Sequence, residues 1–120
     1  MARVQIENNQ LIISMKGTRK LTTLTSELVI SLDNVKKALV STDDWDETIP
    51  NIGQRRVGSN IPGWYYGGIF VQEGDKVFYD LKRGEGAVVL ELKDEEDFSR
   101  IIIGVEDPAA TVEYIEKALK

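Results

Sequence analysis

Residues 98–119, FSRIIIGVEDPAATVEYIEKAL, carry two different periods on either side of one dipeptide. From Ile101 to Val105 the apolar residues stand on nearly consecutive positions, as expected of a strand covered on both faces. Beyond the dipeptide, Val112, Ile115 and Leu119 recur at i, i+3 and i+7 with Ala118 beside them. That is the stripe of an amphipathic helix. Asp107 has the short acceptor side chain of an N-cap, and Pro108 suits the first helical position, where its missing N–H is no loss. Glu113 and Lys117 make a solvent-side i,i+4 pair. The chain is thus expected to finish as a buried strand and one helix, the helix stripe resting on strand residues such as Phe70, Val89 and Ile102.

Upstream, most of the sequence alternates with period two. Val4 and Ile6 share a face, and Leu11, Ile13 and Met15 lie on a returning strand, with Asn8-Asn9 at the turn. Asparagine tolerates the positive φ that a tight hairpin demands. The segment ELVISLDNVKKALVS (27–41) reads as two strands joined at Asp33-Asn34, while TRKLTTLT before it offers at best one helical turn. Further on, WYYGGIFVQEGDKVFYDL (64–81) reads as two strands around Glu73-Gly74-Asp75. KRGEG is another turn, and AVVLEL pairs with the closing strand across the charged turn KDEED. The sum is seven or eight antiparallel strands and a terminal helix, in one domain spanning residues 1–120.

Composition narrows the chemistry. The chain is 42% hydrophobic and 29% charged, which is the profile of an ordinary globular protein. It contains no cysteine, hence no disulfide, thiolate nucleophile or zinc–thiolate centre. It contains no histidine, so the usual general base near neutral pH and the commonest metal ligand are missing. A net charge of -5 argues against nucleic acid, whose binders carry a basic face. No apolar run approaches the roughly 20 residues of a membrane-spanning helix, and MARVQIENNQ lacks the apolar core of a signal peptide. A cytoplasmic domain without cofactor or metal is the expectation.

The regular pattern stops between Thr42 and Gly63, which reads as a long inter-strand loop. Residues 49–70, IPNIGQRRVGSNIPGWYYGGIF, hold five glycines, two prolines and an arginine pair. Gly53 and Gly58 have P-loop spacing, but Ser59-Asn60 stand where lysine and a hydroxyl residue are needed, so nucleotide binding is not expected. Arg55 and Arg56 offer planar forks for an anionic headgroup or a partner's carboxylates, or balance Asp43, Asp44, Asp46 and Glu47 nearby. Trp64 and Tyr66 are candidates for an aromatic binding lip, although alternation must send at least one ring of the Trp64–Tyr66 run inward. Trp45, flanked by acids, is a further candidate anchor. The acidic clusters at 43–47 and 94–97 lack the alternating ligands and central glycine of a calcium loop. Ser14 and Lys16 share a strand face, but nothing in the sequence marks them as an activated pair.

Four stretches carry a family likeness: LVISLDNVKKALV, NIPGWYYGGIFV, KVFYDL, and the closing FSRIIIGVEDPAATVEYIEKAL. Together they resemble the bacterial pleckstrin-homology (PH)-like domains over roughly residues 27–120. The resemblance implies a mainly β protein, a PH-like barrel of about seven antiparallel strands closed by a C-terminal helix. It also implies a non-enzymatic binding or assembly module acting on a protein partner or as a homo-oligomer. Phosphoinositide-binding members place basic residues in the first hairpin loop, where this chain has IENNQL. Peripheral binding to anionic membrane lipid through Lys16, Arg19, Lys20, Arg55 and Arg56 is the alternative, and a small-ligand binder or an enzyme the second.

Overall fold

The computed structural model describes residues 2–15, 27–41, 54–61, 65–72, 74–93 and 97–119, with backbone alone for 54–61 and 72. The chain opens with a hairpin of β1 (Arg3–Glu7) and β2 (Gln10–Ser14). Its turn residues Asn8 and Asn9 both take positive φ, 50° and 61°, as a two-residue hairpin of matching twist requires. Strand β3 (Glu27–Ser31) pairs with β2 to complete a three-stranded sheet ordered β1-β2-β3. Ser31 then caps a single 3₁₀ turn, Leu32–Asn34, its side chain accepting the Asp33 N–H at 3.3 Å. Asp33 and Asn34 thus do make the reversal, and β4 (Val35–Val40) leaves it into a second sheet.

That sheet has six strands in the order β4-β8-β9-β7-β6-β5. The remaining strands are β5 (Gln54–Ile61), β6 (Tyr65–Gln72), β7 (Asp75–Lys82), β8 (Gly86–Leu92) and β9 (Arg100–Val105). Three expectations are corrected here. Nine strands are described rather than about seven. Residues 54–61, read as loop, pair with β6 over their whole length. And the sheet is not wholly antiparallel: β9 enters between β7 and β8 and runs parallel to β7, from Val77↔Arg100 to Asp80↔Ile103. Period-two alternation reveals a strand's two faces but not its neighbours, so this insertion left no trace in the sequence.

Alternation divides the core into the two faces of the six-stranded sheet. On one, Leu11, Ile13, Met15 and Ile30 of the small sheet meet Phe78, Val88, Leu90, Ile101 and Ile103. On the other lie Phe70, Val77, Tyr79, Leu81, Ala87 and Ile102. Ile101, Ile102 and Ile103 are all buried because the strand is covered on both sides, as their consecutive placement predicts.

Helix α1 (Pro108–Ala118) begins at Asp107, whose carboxylate accepts the Ala110 N–H at 3.1 Å, with Pro108 in the first turn. The exposed Glu113–Lys117 pair forms at 2.9 Å. The stripe is as read, Ile115 wholly buried with Val112 and Leu119 packed beside it, but its partners are not Phe70, Val89 and Ile102. Those residues belong to the opposite face, and Ile115 joins Ala38, Leu92, Ile103 and the small sheet. Burying one such side chain contributes about 1.5–3 kcal/mol.

The residues flanking Ile115 do a second job. The Ile6 N–H of β1 donates to the Tyr114 hydroxyl at 3.0 Å, and the Ala38 N–H of β4 donates to Glu116 Oε1 at 3.2 Å. One helix thereby satisfies backbone donors on edge strands of both sheets. No helix among the described residues is long and apolar enough to cross a membrane.

Candidate functional site

Of the residues singled out in the sequence, Tyr66 is described in full and Arg55 and Arg56 by their backbone. Arg55 and Arg56 stand on β5 rather than in a loop. Register slips between Arg55↔Phe70 and Val57↔Ile69, so Arg56 is the extra residue of a β-bulge. Tyr66 faces inward and is half-buried, its ring 6.0 Å from Phe70 in edge contact and 6.4 Å from Tyr79. Phe70 and Tyr79 are themselves in edge contact at 5.5 Å, so Tyr66 borders a core cluster. Trp45, Trp64, Lys16, Arg19 and Lys20 lie outside the described residues, as does the acidic run 43–47.

Neighbouring Tyr65 is buried too, and its hydroxyl donates to Asp80 Oδ1 at 2.7 Å. The geometry follows from register. Gly67 is two residues along β6 from Tyr65, on the same face, and directly opposite Asp80 on β7. With no side chain at Gly67, the tyrosine ring lies over that position and reaches across to the carboxylate. Asp80 is the sole fully buried charged residue among the described residues. This buried polar pair stabilises the junction of β6 and β7 and is remote in character from an exposed site.

Two surface features remain. The first is strand β5, which ends the six-stranded sheet and, among the described residues, has β6 as its one strand neighbour. Its arginines lie at the beginning, whereas Val57–Ile61 carry no charge. Strands β3 and β4 add exposed apolar side chains: Val29 is 50% exposed, Leu39 42% and Val40 38%.

The second is a cleft of about 410 Å³ lined by Asn9, Leu32, Asp33, Val35, Lys36, Lys93, Ala118 and Leu119. Three backbone reversals meet there. The Leu32 N–H donates to the Asn9 carbonyl at 3.0 Å, and the Lys93 N–H to the Asn34 carbonyl at 2.8 Å. Register between β4 and β8 slips between Val35↔Leu92 and Lys37↔Glu91, so Lys36 is a bulge residue. Lys37 pairs with Glu91 at 3.3 Å, but neither Lys36 nor Lys93 has an ion-pair partner among the described residues. The sequence held no direct sign of this cleft, because Lys36 and Lys93 are 57 positions apart (93 − 36) and a bulge is invisible in a polar pair. Among the described residues, no three carboxylates gather as a metal site.

No protein-family model, curated protein or solved structure matches the chain.

Proposed function

We propose that this chain is a non-enzymatic binding and assembly module that associates with a second copy of itself by adding a strand at β5. The observation that carries the reading is the unequal treatment of sheet edges. Side chains of α1 occupy donors on the outer edges of β1 and β4, whereas β5 and β3 have no described strand beyond them, and β5, at 8 residues against 5, is the longer template. A row of unsatisfied N–H and C=O groups is a template for another strand. The charged start and bulge of β5 discourage pairing there, so the uncharged Val57–Ile61 is the pairing segment. The PH-like barrel is the architectural frame of the proposal, supported by two facing sheets and a terminal helix. The parallel β7–β9 pair is its departure from that plan.

Consecutive N–H groups of a strand point in opposite in-plane directions. Of Ser59 and Asn60, opposite Gly67 and Tyr66 of β6, one therefore donates to β6 and the other faces outward. Sedimentation velocity over a concentration series tests the reading with Ser59→Pro and Asn60→Pro. Wild type should form a dimer or larger species. The outward-facing proline should abolish association while leaving the thermal midpoint nearly unchanged, since proline is tolerated on a free edge. A wild type that stays monomeric at every concentration overturns self-association, as does a dimer that survives both prolines. If Trp45 or Trp64 anchors the contact, its fluorescence shifts to the blue over the same concentration range.

A further inference from the structure

We propose that the cleft between the β1–β2 turn, the 3₁₀ turn and the end of α1 binds a small phosphomonoester. Its size falls within the usual range of ligand sites, roughly 300–1,000 Å³, and exceeds what a bare phosphate fills. Charge picks the ligand. Among the described residues, Lys36 and Lys93 bring two ammonium groups to walls that contain one carboxylate, Asp33. Lysines without a carboxylate partner among the described residues are compact point charges, which suit a dianionic phosphate better than the planar geometry of a carboxylate.

Local structure supports the assignment independently of charge. The bulge makes Lys36 the unpaired extra residue of β4 and turns its side chain to the cleft, while the next lysine, Lys37, continues the ladder and pairs with Glu91. Lys93 is fixed at its backbone by the bond to Asn34. Leu32 and Val35 are buried beneath the cleft, and Leu119 borders it. Asp33 and Asn9 offer acceptors for a hydroxyl or amine on the ligand. The site shares no residue with β5, so this assignment stands or falls apart from self-association.

The test is an amide-resolved NMR titration of the full chain with phenyl phosphate, inorganic phosphate and benzoate. Phenyl phosphate should shift the amides of Lys36, Lys93 and Leu119 saturably and bind more tightly than the other two. Lys36→Gln and Lys93→Gln should each weaken it on the order of tenfold, the effect of losing one charge-assisted contact. Lys76→Gln, at an exposed lysine outside the cleft, should change nothing. Cosedimentation with phosphatidylcholine vesicles containing phosphatidic acid separates the two sources of a phosphomonoester. Pelleting lost in Lys36→Gln marks a lipid headgroup, and no pelleting with intact phenyl phosphate binding marks a soluble ligand. Unsaturable shifts, shifts spread equally over exposed lysines, or affinity indifferent to both cleft substitutions would overturn the proposal.

Discussion

Gly67 has no side chain because Tyr65 occupies the place where one would stand. A methyl group there would run into the ring and hydroxyl of Tyr65. That ring cannot easily swing away, being buried and bonded to Asp80. Gly67→Ala should therefore cost about 2 kcal/mol or more in urea unfolding, combining overpacking with loss of a buried bond. In a Tyr65→Leu background the same change should cost far less, and equal costs in the two backgrounds would dismiss the account. Tyr65→Phe alone should destabilise by about 1–3 kcal/mol, since it withdraws a donor from a buried carboxylate. At this scale the sequence was only partly legible. Asn8 and Asn9 announced their turn because the constraint is local, a positive φ at adjacent residues. The Tyr65–Gly67–Asp80 arrangement depends on cross-strand register, which no single strand encodes, so the glycine read as mere punctuation.

At the scale of elements, α1 combines one apolar plug with two polar caps. Ile115 enters the core between sheets, and Tyr114 and Glu116, one residue to either side, take backbone donors from β1 and β4. Glu116→Ala should cost about 0.5–1.5 kcal/mol by leaving the Ala38 N–H without its acceptor. Glu116→Gln keeps an acceptor oxygen and should lie close to wild type in the same thermal melt. Ile115→Ala, by contrast, should cost about 2–5 kcal/mol, because it opens a cavity as well as removing apolar area. The helix itself was legible, cap and stripe included, since period and N-cap are properties of contiguous residues. Which sheet face it would cover was not. Val89 and Ile102 are apolar like Val88, Ile101 and Ile103, and alternation alone does not say which set the helix meets. Strand β5 escaped for a different reason: QRRVGSNI is polar and glycine-containing, because an edge strand has less apolar surface to hide.

Over the whole molecule, strands β6 to β9 carry buried residues on both faces, and the three-stranded sheet and the helix share the cover of one of them. Removing the helix would uncover Ala38, Leu92 and Ile103 around the position of Ile115 and release the edges of β1 and β4 together. These losses compound, since exposed apolar surface and unsatisfied edges both favour intermolecular strand pairing over the native state. A chain ending at Glu106 should therefore show no cooperative unfolding transition by circular dichroism and should aggregate at micromolar concentration. Native stability is only about 5–15 kcal/mol for a domain, so losing one plug and two caps consumes a large part of it. A double variant distinguishes the two contributions. Tyr114→Phe with Glu116→Ala keeps Ile115 in place, so it should still melt cooperatively, at a lower midpoint, while associating more readily as concentration rises. A cooperative transition in the shortened chain would show that the sheets hold together without α1. Unchanged association in the double variant would mean that the caps do not guard the edges.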